Sequence, residues 1–270
     1  WPIALGFSPT TRQLQVLNNF LNAELRGVAV DKAKALVASK LGVKVAHVEA
    51  GLRTHDIHNP FPEEFNRVAV GLLASQHFCP TPAAAGHVLA QGARKDTVHV
   101  TGNTVIDALY FTRDKLARLH PPVPKNQVLM TAHRRENFGA PMENIFRAVR
   151  RLLDDFPALT VLYPVHPNPR VREPAERLLG GHPRIALTAP LNYPDLVAAM
   201  EESLFILTDS GGIQEEAPAL GKPVLVLREA TERPEAVALG VARIVGTAEE
   251  RILDECRRLL RDPAHYRRMA

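Results

Sequence analysis

The chain has 270 residues, 46% of them hydrophobic and 23% charged, enough apolar material for one large domain or two modest ones. No run of about 18 apolar residues is present, so no membrane span is expected. The start, WPIALGFSPTTRQ, lacks the pattern of a signal peptide. Only two cysteines occur, Cys79 and Cys256, far apart in sequence, which argues against a disulfide framework or a zinc site and for a reducing cytoplasm. The net charge of +4 suits an anionic ligand. The basic clusters Arg147, Arg150, Arg151 and Arg257, Arg258, Arg261 fall on amphipathic helical patterns, so they read as solvated helix faces and not as a nucleic-acid surface.

In chain order, residues 13–25 and 31–40 read as helical, VKVAHVEA (43–50) as a strand and 64–75 as a helix. From residue 98 short apolar runs recur: VHV (98–100), QVLMTA (127–132), LTVLYPV (159–165), RIALTAP (184–190), LFILTD (204–209), PVLVLR (223–228) and ARIVG (242–246). Between them lie helical periodicities. Ile145, Phe146, Val149, Leu152 and Leu153 share one face over 141–153, and Ile252, Leu253, Cys256, Leu259 and Leu260 share one over 248–261. Such alternation predicts an α/β fold with parallel sheets covered by helices on both faces. PPVP (121–124) breaks the pattern, so two α/β domains are expected, 1–120 and 126–270, joined by a linker at 121–125. A cleft between them is the expected ligand site, since open α/β sheets bind ligands beyond the carboxyl ends of their strands.

Four segments carry chemistry. In LFILTDSGGIQEEAPALG (204–221) a strand runs into a turn with two glycines and then a helix, which fits a phosphate cradle. Gly211 and Gly212 permit close approach of the backbone, and Ser210 adds a hydroxyl. Glu215 and Glu216 would repel phosphate, so one of them suits neutral hydroxyls such as a ribose diol; an ordinary βα turn with acids at a helix start explains the pattern equally well. In VLMTAHRRENFG (128–139), His133 with Arg134, Arg135 and Glu136 follows a strand, where anion-binding and catalytic groups sit in such folds. In REATERPEAVALG (228–240), Arg233 precedes Pro234 between Glu232 and Glu235, a pattern that a capped helix start explains by itself. The fourth segment, 47–67, gathers Glu49 at a strand end, Arg53 after a glycine turn, and Glu63 and Glu64 behind Pro62 at a helix start. His47, His55 and His58 there do not make a metal site: two lie in an irregular loop and no cysteine is near. Paired carboxylates from separate turns suit general acid–base work. No G-x-G-x-x-G, no P-loop and no G-x-S-x-G occurs.

Taken together, HVEAGLRT (47–54), PFPEEFNR (60–67), TGNTVIDAL (101–109), HRRENFG (133–139), YPVHPNPRVRE (163–173), LTDSGGIQEEAPALGKPVLVLR (207–228) and TERPEAV (231–237) resemble the non-hydrolysing UDP-N-acetylglucosamine 2-epimerases, in the family's order and over roughly residues 43 to 265. The resemblance implies a GT-B-type fold of two Rossmann-like domains, a homodimer, a UDP-sugar substrate and no cofactor or metal. It implies that UDP-GlcNAc and UDP-ManNAc interconvert by elimination of UDP to 2-acetamidoglucal and re-addition, in a cytoplasmic enzyme serving polysaccharide synthesis. By the same resemblance Ser210, Gly211, Gly212, Glu216, Arg233 and His133 contact UDP, and Glu49, Glu63 and His133 are catalytic. Arg53, Arg134 and Arg135 are further candidates.

The family's G-T-R-P-E, H-G-D-T and N-P-Y-G-D-G motifs do not occur here. Counting back from Glu49, the place of the H-G-D-T aspartate falls at Gly27, and nearby Asp31 sits in a helical pattern. The expectation is that segments of a longer enzyme are omitted, with a junction near 26–28. The alternatives are a hydrolysing or diacetamido-sugar epimerase and a catalytically dead UDP-sugar-binding relative.

Overall fold

The computed structural model describes residues 37–58, 61–119, 121–231 and 233–270. The expected helix over 13–25, most of that over 31–40, the Gly27 and Asp31 positions and Glu232 lie outside them. Packing divides the chain into two units, with the break between Asn103 and Thr104.

In the first unit, β1 (Ala46–Val48), β2 (Gln76–Cys79) and β3 (Val98–Val100) form a parallel sheet in the order β1-β2-β3. The crossover from β1 to β2 is α1 (Glu63–Leu73), whose acidic first turn holds Glu63 and Glu64 behind Pro62. That from β2 to β3 is α2 (Pro82–Ala90), capped by Thr81, whose side chain accepts from Ala84 N. Ala50, Cys79, Ala84, Ala85 and Val88 form one small buried cluster of this unit, and Ala38, Val45 and Val70 another.

The chain turns from β1 into the next loop at Gly51, with φ +85; a Cβ there would stand 1.9 Å from the Ala84 carbonyl oxygen of α2. Both the backbone conformation and the contact demand glycine. Gly51→Ala is therefore expected to cost roughly 2–4 kcal/mol, the sum of left-handed strain and overpacking. Gly42→Ala, at φ +70 with no atom within 4 Å of its Cβ, should cost only the strain, about 1 kcal/mol. Urea unfolding of the two variants side by side checks this. Equal costs would mean that the Ala84 contact relaxes freely.

The second unit opens with α3 (Thr104–Leu119), whose Leu109 is fully buried in its core. The packing break thus precedes this helix, and the prolines at 121–124 follow it. Lys125 N donates to Glu202 O at 2.8 Å, so residue 125 is already pinned to the second unit. Then come β4 (Gln127–Thr131), α4 (Ala140–Asp155), β5 (Thr160–Pro164), α5 (Pro169–Leu179), β6 (Ile185–Thr188), α6 (Tyr193–Glu202), β7 (Phe205–Thr208), α7 (Ile213–Ala219), β8 (Val224–Val226), α8 (Pro234–Ala238), β9 (Ala242–Ile244), α9 (Glu249–Arg261) and α10 (Pro263–Met269).

The six strands are parallel in the order β6-β5-β4-β7-β8-β9. Side chains alternate across the sheet, and both faces are buried. Val128, Met130, Leu207 and Leu225 join the stripe of α4 (Ile145, Phe146, Val149, Leu152, Leu153) and that of α9 (Ile252, Leu253, Cys256, Leu259). Leu129, Ile206, Val224 and Val226 face Val197 and Met200 of α6, Leu109, and Ile213 and Ala217 of α7. Two buried faces explain why these strands read as unbroken apolar runs. Cys79 and Cys256 are both buried free thiols.

Candidate functional site

Strand β4 begins the six-stranded sheet at its centre; the chain then winds one way through β5 and β6 and returns to wind the other way through β7, β8 and β9. The reversal leaves a switch point at the carboxyl ends of β4 and β7, where doubly wound sheets bind ligands. The two strands stay paired to their last residues, Thr131 opposite Thr208, with the hydroxyls 2.6 Å apart. Asp209 N donates to Thr131 O at 3.1 Å and Ser210 N to the Thr208 hydroxyl at 2.9 Å. Beyond that the loops separate into 132–139 and 209–212, the two segments singled out in the sequence.

The Asp209 carboxylate, wholly buried, ties these loops together. Its Oδ2 accepts from His133 N and Arg134 N at 2.8 Å each and from Asn137 Nδ2 at 3.1 Å, and Asn137 Nδ2 also donates to Leu227 O after β8 at 3.0 Å. Arg134 Nε donates to Asp209 O at 3.3 Å, Glu136 pairs with the buried Arg228 at 2.9 Å, and Arg135 is exposed. The His133 ring stacks on His166, which follows β5, at 5.6 Å between centroids. Burial pushes the His133 pKa below that of a free imidazole; Arg134 and His166 act the same way, while Asp209 and Glu136 oppose it. The net direction is down, so the ring of the ligand-free chain is neutral at pH 7.

The glycine turn leads into α7, a helix of seven residues with Pro218 in its last turn. So short a helix adds little dipole, and the turn itself must supply most of any anion contact. A Cβ on Gly212 would meet only Glu216 Oε2, at an ordinary 3.5 Å, so the chain's own packing does not demand glycine there. Its absence of a side chain keeps the turn's backbone open to a ligand. Gln214, fully buried, stitches the turn to the segment carrying Arg233. Its Nε2 donates to Ser210 O at 3.1 Å, its Oε1 accepts from the Thr231 hydroxyl at 2.5 Å, and Thr231 Oγ1 accepts from Arg233 N at 3.0 Å. The buried Arg233 guanidinium is ion-paired with Glu215, which holds its charge at the first turn of α7. Glu216, also buried, accepts from Tyr193 OH at 2.7 Å, and burial raises its pKa.

In the first unit Glu49 follows β1 in the left-handed region, with φ +62. That conformation is uncommon outside glycine, and strained backbone of this kind gathers at functional sites. Asn103, after β3, donates its Nδ2 to Glu49 Oε1 at 2.7 Å. Glu63 is half-buried at the first position of α1. Glu64, 2% exposed, is more than a helix-start acid: it accepts from Thr54 N at 3.2 Å and His55 N at 3.3 Å, so it staples the loop after β1 to the start of α1. Arg53 is buried, donating to Leu52 O at 2.8 Å and Gln91 Oε1 at 2.6 Å. His47 lies on β1 with its pKa pushed down to about 4, mainly by burial and then by Arg53.

Within each unit, then, the sequence candidates gather at strand carboxyl ends: His133 with Ser210, Gly211 and Gly212, with Arg233 and Glu216 beside the turn in one, and Glu49 in the other. Asp209, Asn137 and Gln214 join the second group and Asn103 the first. None of these four was identified as a site residue in the sequence. Each lies inside or beside a quoted motif, but the partner that defines it is between 17 and 90 positions away in every case but the Gln214–Ser210 bond.

A family model described as UDP-N-acetylglucosamine 2-epimerase matches residues 32–270. The chain belongs to that family. The UDP-N-acetylglucosamine 2-epimerase of Bacillus subtilis (strain 168) is 49% identical over 243 residues, covering 88% of this chain and 63% of its own length. That of Escherichia coli (strain K12) is 45% identical over 250 residues, covering 88% and 66%. The chain thus spans less than two thirds of these relatives. Among solved structures, the UDP-GlcNAc 2-epimerase of Neisseria meningitidis bound to UDP-GlcNAc superposes with a TM-score of 0.85 at 38% identity, over 98% of this chain and 78% of that one. The S. aureus MnaA–UDP co-structure gives 0.83 at 44%, over 96% and 74%. With these neighbours the fold is of the GT-B type.

Proposed function

We propose that this epimerase-family chain carries the UDP-binding and proton-transfer residues of an enzyme interconverting UDP-GlcNAc and UDP-ManNAc. The observation that carries the reading is the glycine turn at the β4/β7 switch point, with His133 and Arg233 held beside it, in a chain of this family. UDP is taken by Ser210, Gly211 and Gly212 at the phosphates, with Arg233 and His133 supplying charge, and by Glu216 at the ribose hydroxyls. Glu49 and Glu63 act on C2 of the sugar. One removes the C2 proton as the C1–O bond to UDP breaks, giving 2-acetamidoglucal and UDP. The other protonates C2 from the opposite face as a UDP oxygen re-forms the bond to C1. No proton next to a carbonyl is needed and no cofactor is called for. The same reading takes the working form to be a cytoplasmic homodimer that supplies polysaccharide synthesis.

The test is incubation with UDP-GlcNAc in D2O, followed by NMR. Deuterium at C2 of both UDP-sugars is the expected result. Free ManNAc with UDP would mean a hydrolysing enzyme, and UDP binding without exchange would mean a binding protein.

Glu216→Gln is expected to weaken UDP binding roughly 10- to 100-fold, the value of hydrogen bonds accepted by a charge. Because burial raises the Glu216 pKa, its charged form is lost sooner on acidification than that of an ordinary carboxylate. UDP affinity should therefore fall as pH drops through that raised value, and the Gln variant should lack this fall. Calorimetric titration with UDP at several pH values measures both. Unchanged affinity in the variant would remove Glu216 from the UDP contacts.

A further inference from the structure

We infer that Asp209 is a positioning residue for His133: it fixes which ring nitrogen carries the proton and aims Nε2 away from itself as the working atom. The inference rests on the proposed role of His133 at the phosphates, but its own test does not.

Two observations carry it. Asp209 is wholly buried, and its Oδ2 is occupied by three N–H donors, from His133 N, Arg134 N and Asn137 Nδ2. Oδ1 is buried without a hydrogen bond, and His133 Nδ1 stands 3.3 Å from it. A buried carboxylate oxygen is a strong acceptor and costs free energy if left unpaired. At 3.3 Å and without hydrogen-bond alignment the contact is electrostatic: a proton on Nδ1 turns positive charge toward Oδ1, whereas a lone pair on Nδ1 would set two acceptors against each other. The proton of the neutral ring therefore sits on Nδ1, and Nε2 keeps the lone pair. On protonation the new N–H is at Nε2, opposite Asp209, and the imidazolium stays paired with the carboxylate. The charged or titratable groups facing this ring are Asp209 after β7, Arg134 and Glu136 in its own loop, and His166 after β5. Among them Asp209 has an oxygen within ion-pair distance of Nδ1.

Asp209→Asn isolates the effect. The amide oxygen can keep the contacts of Oδ2, because an amide nitrogen there would meet three donors. Its Nδ2 then replaces Oδ1 and offers a hydrogen to His133 Nδ1, which reverses the tautomer and removes the charge that favours the imidazolium.

The experiment is two-bond 1H–15N NMR on the full chain labelled with 15N-histidine, with His133 assigned by comparison with His133→Gln, in wild type and Asp209→Asn across pH. In wild type above the ring's pKa, Nδ1 is expected to give a protonated-type shift and Nε2 a lone-pair-type shift. In the variant the two are expected to exchange and the midpoint to move to lower pH. A wild-type ring protonated on Nε2 overturns the assignment without any variant, so it remains testable even if Asp209→Asn fails to fold. A folded variant with unchanged tautomer and midpoint overturns it equally. UDP added to wild type should shift the Nε2 signal; if it does not, the proposed role of His133 fails while the tautomer result stands.

Discussion

Glu49→Gln is expected to lower kcat for epimerisation by about 10²- to 10⁴-fold, the range for loss of a positioned general acid or base, while leaving KM for the UDP-sugar nearly unchanged. The amide keeps the size of the carboxylate and its hydrogen bond from Asn103 Nδ2, so the fold is not at stake. What is lost is the ability to take or give a proton. The backbone at Glu49, at φ +62, is held in a conformation that most residues avoid, which makes sense if the direction of its side chain matters more than local comfort. Glu63→Gln should show a loss of the same order. Deuterium exchange tells the two roles apart. A variant that keeps only one of the two groups can still remove and replace the C2 proton of the epimer that group serves, on the same face. It should label that epimer in D2O without inverting it. Glu49→Gln and Glu63→Gln are expected to label opposite epimers. Near-normal epimerisation in either variant would strike that residue from the mechanism.

The α/β pattern of the second unit is legible because the central strands β4, β7 and β8 are buried on both faces. Each strand of the six-stranded sheet appears as an apolar run that the helical stripes of α4 and α9 could only pack against. Strand β2 was not legible: QHFC is short and half polar, and only its parallel pairing with β1 and β3 makes it a strand. The Pro-rich stretch at 121–124 is the strongest local break in composition, but α3 before it packs with the second unit. Its buried Leu109 belongs to the core of the second unit, a contact that local composition does not reveal. At the site, motif residues were readable as types in an order, but the groups that orient them were not. Asp209 reaches a loop 76 residues back, and Asn103 reaches Glu49 across 54. Such pairings are set by where parallel strands end in space, which follows from sheet order and not from neighbouring residues. Glu64 shows the converse: its position at a helix start explains its presence, yet its hydrogen bonds to Thr54 and His55 give it a second task.

His133→Ala is expected to lower kcat by about 10²- to 10³-fold, comparable to removal of one preorganised donor from a developing negative charge. In the proposed reaction the leaving UDP gains charge on its β-phosphate as the C1–O bond breaks, where an imidazolium Nε2–H would stabilise the transition state more than the ground state. The pH dependence follows from the ring's surroundings. In the free chain burial holds the His133 pKa below that of ordinary histidine, so the protonated form is lost as pH rises through that lowered value. The alkaline limb of kcat/KM, which reports the free protein, should therefore lie at lower pH than a free imidazole would give. A bound diphosphate brings negative charge to the ring and favours the imidazolium, so the alkaline limb of kcat should lie at higher pH than that of kcat/KM. UDP binding near neutral pH should accordingly take up protons, seen as a dependence of the calorimetric enthalpy on buffer ionisation. In His133→Ala the separation between the two limbs and the proton uptake should both vanish. If they persist, another group titrates there and the proposed imidazolium role of His133 is wrong.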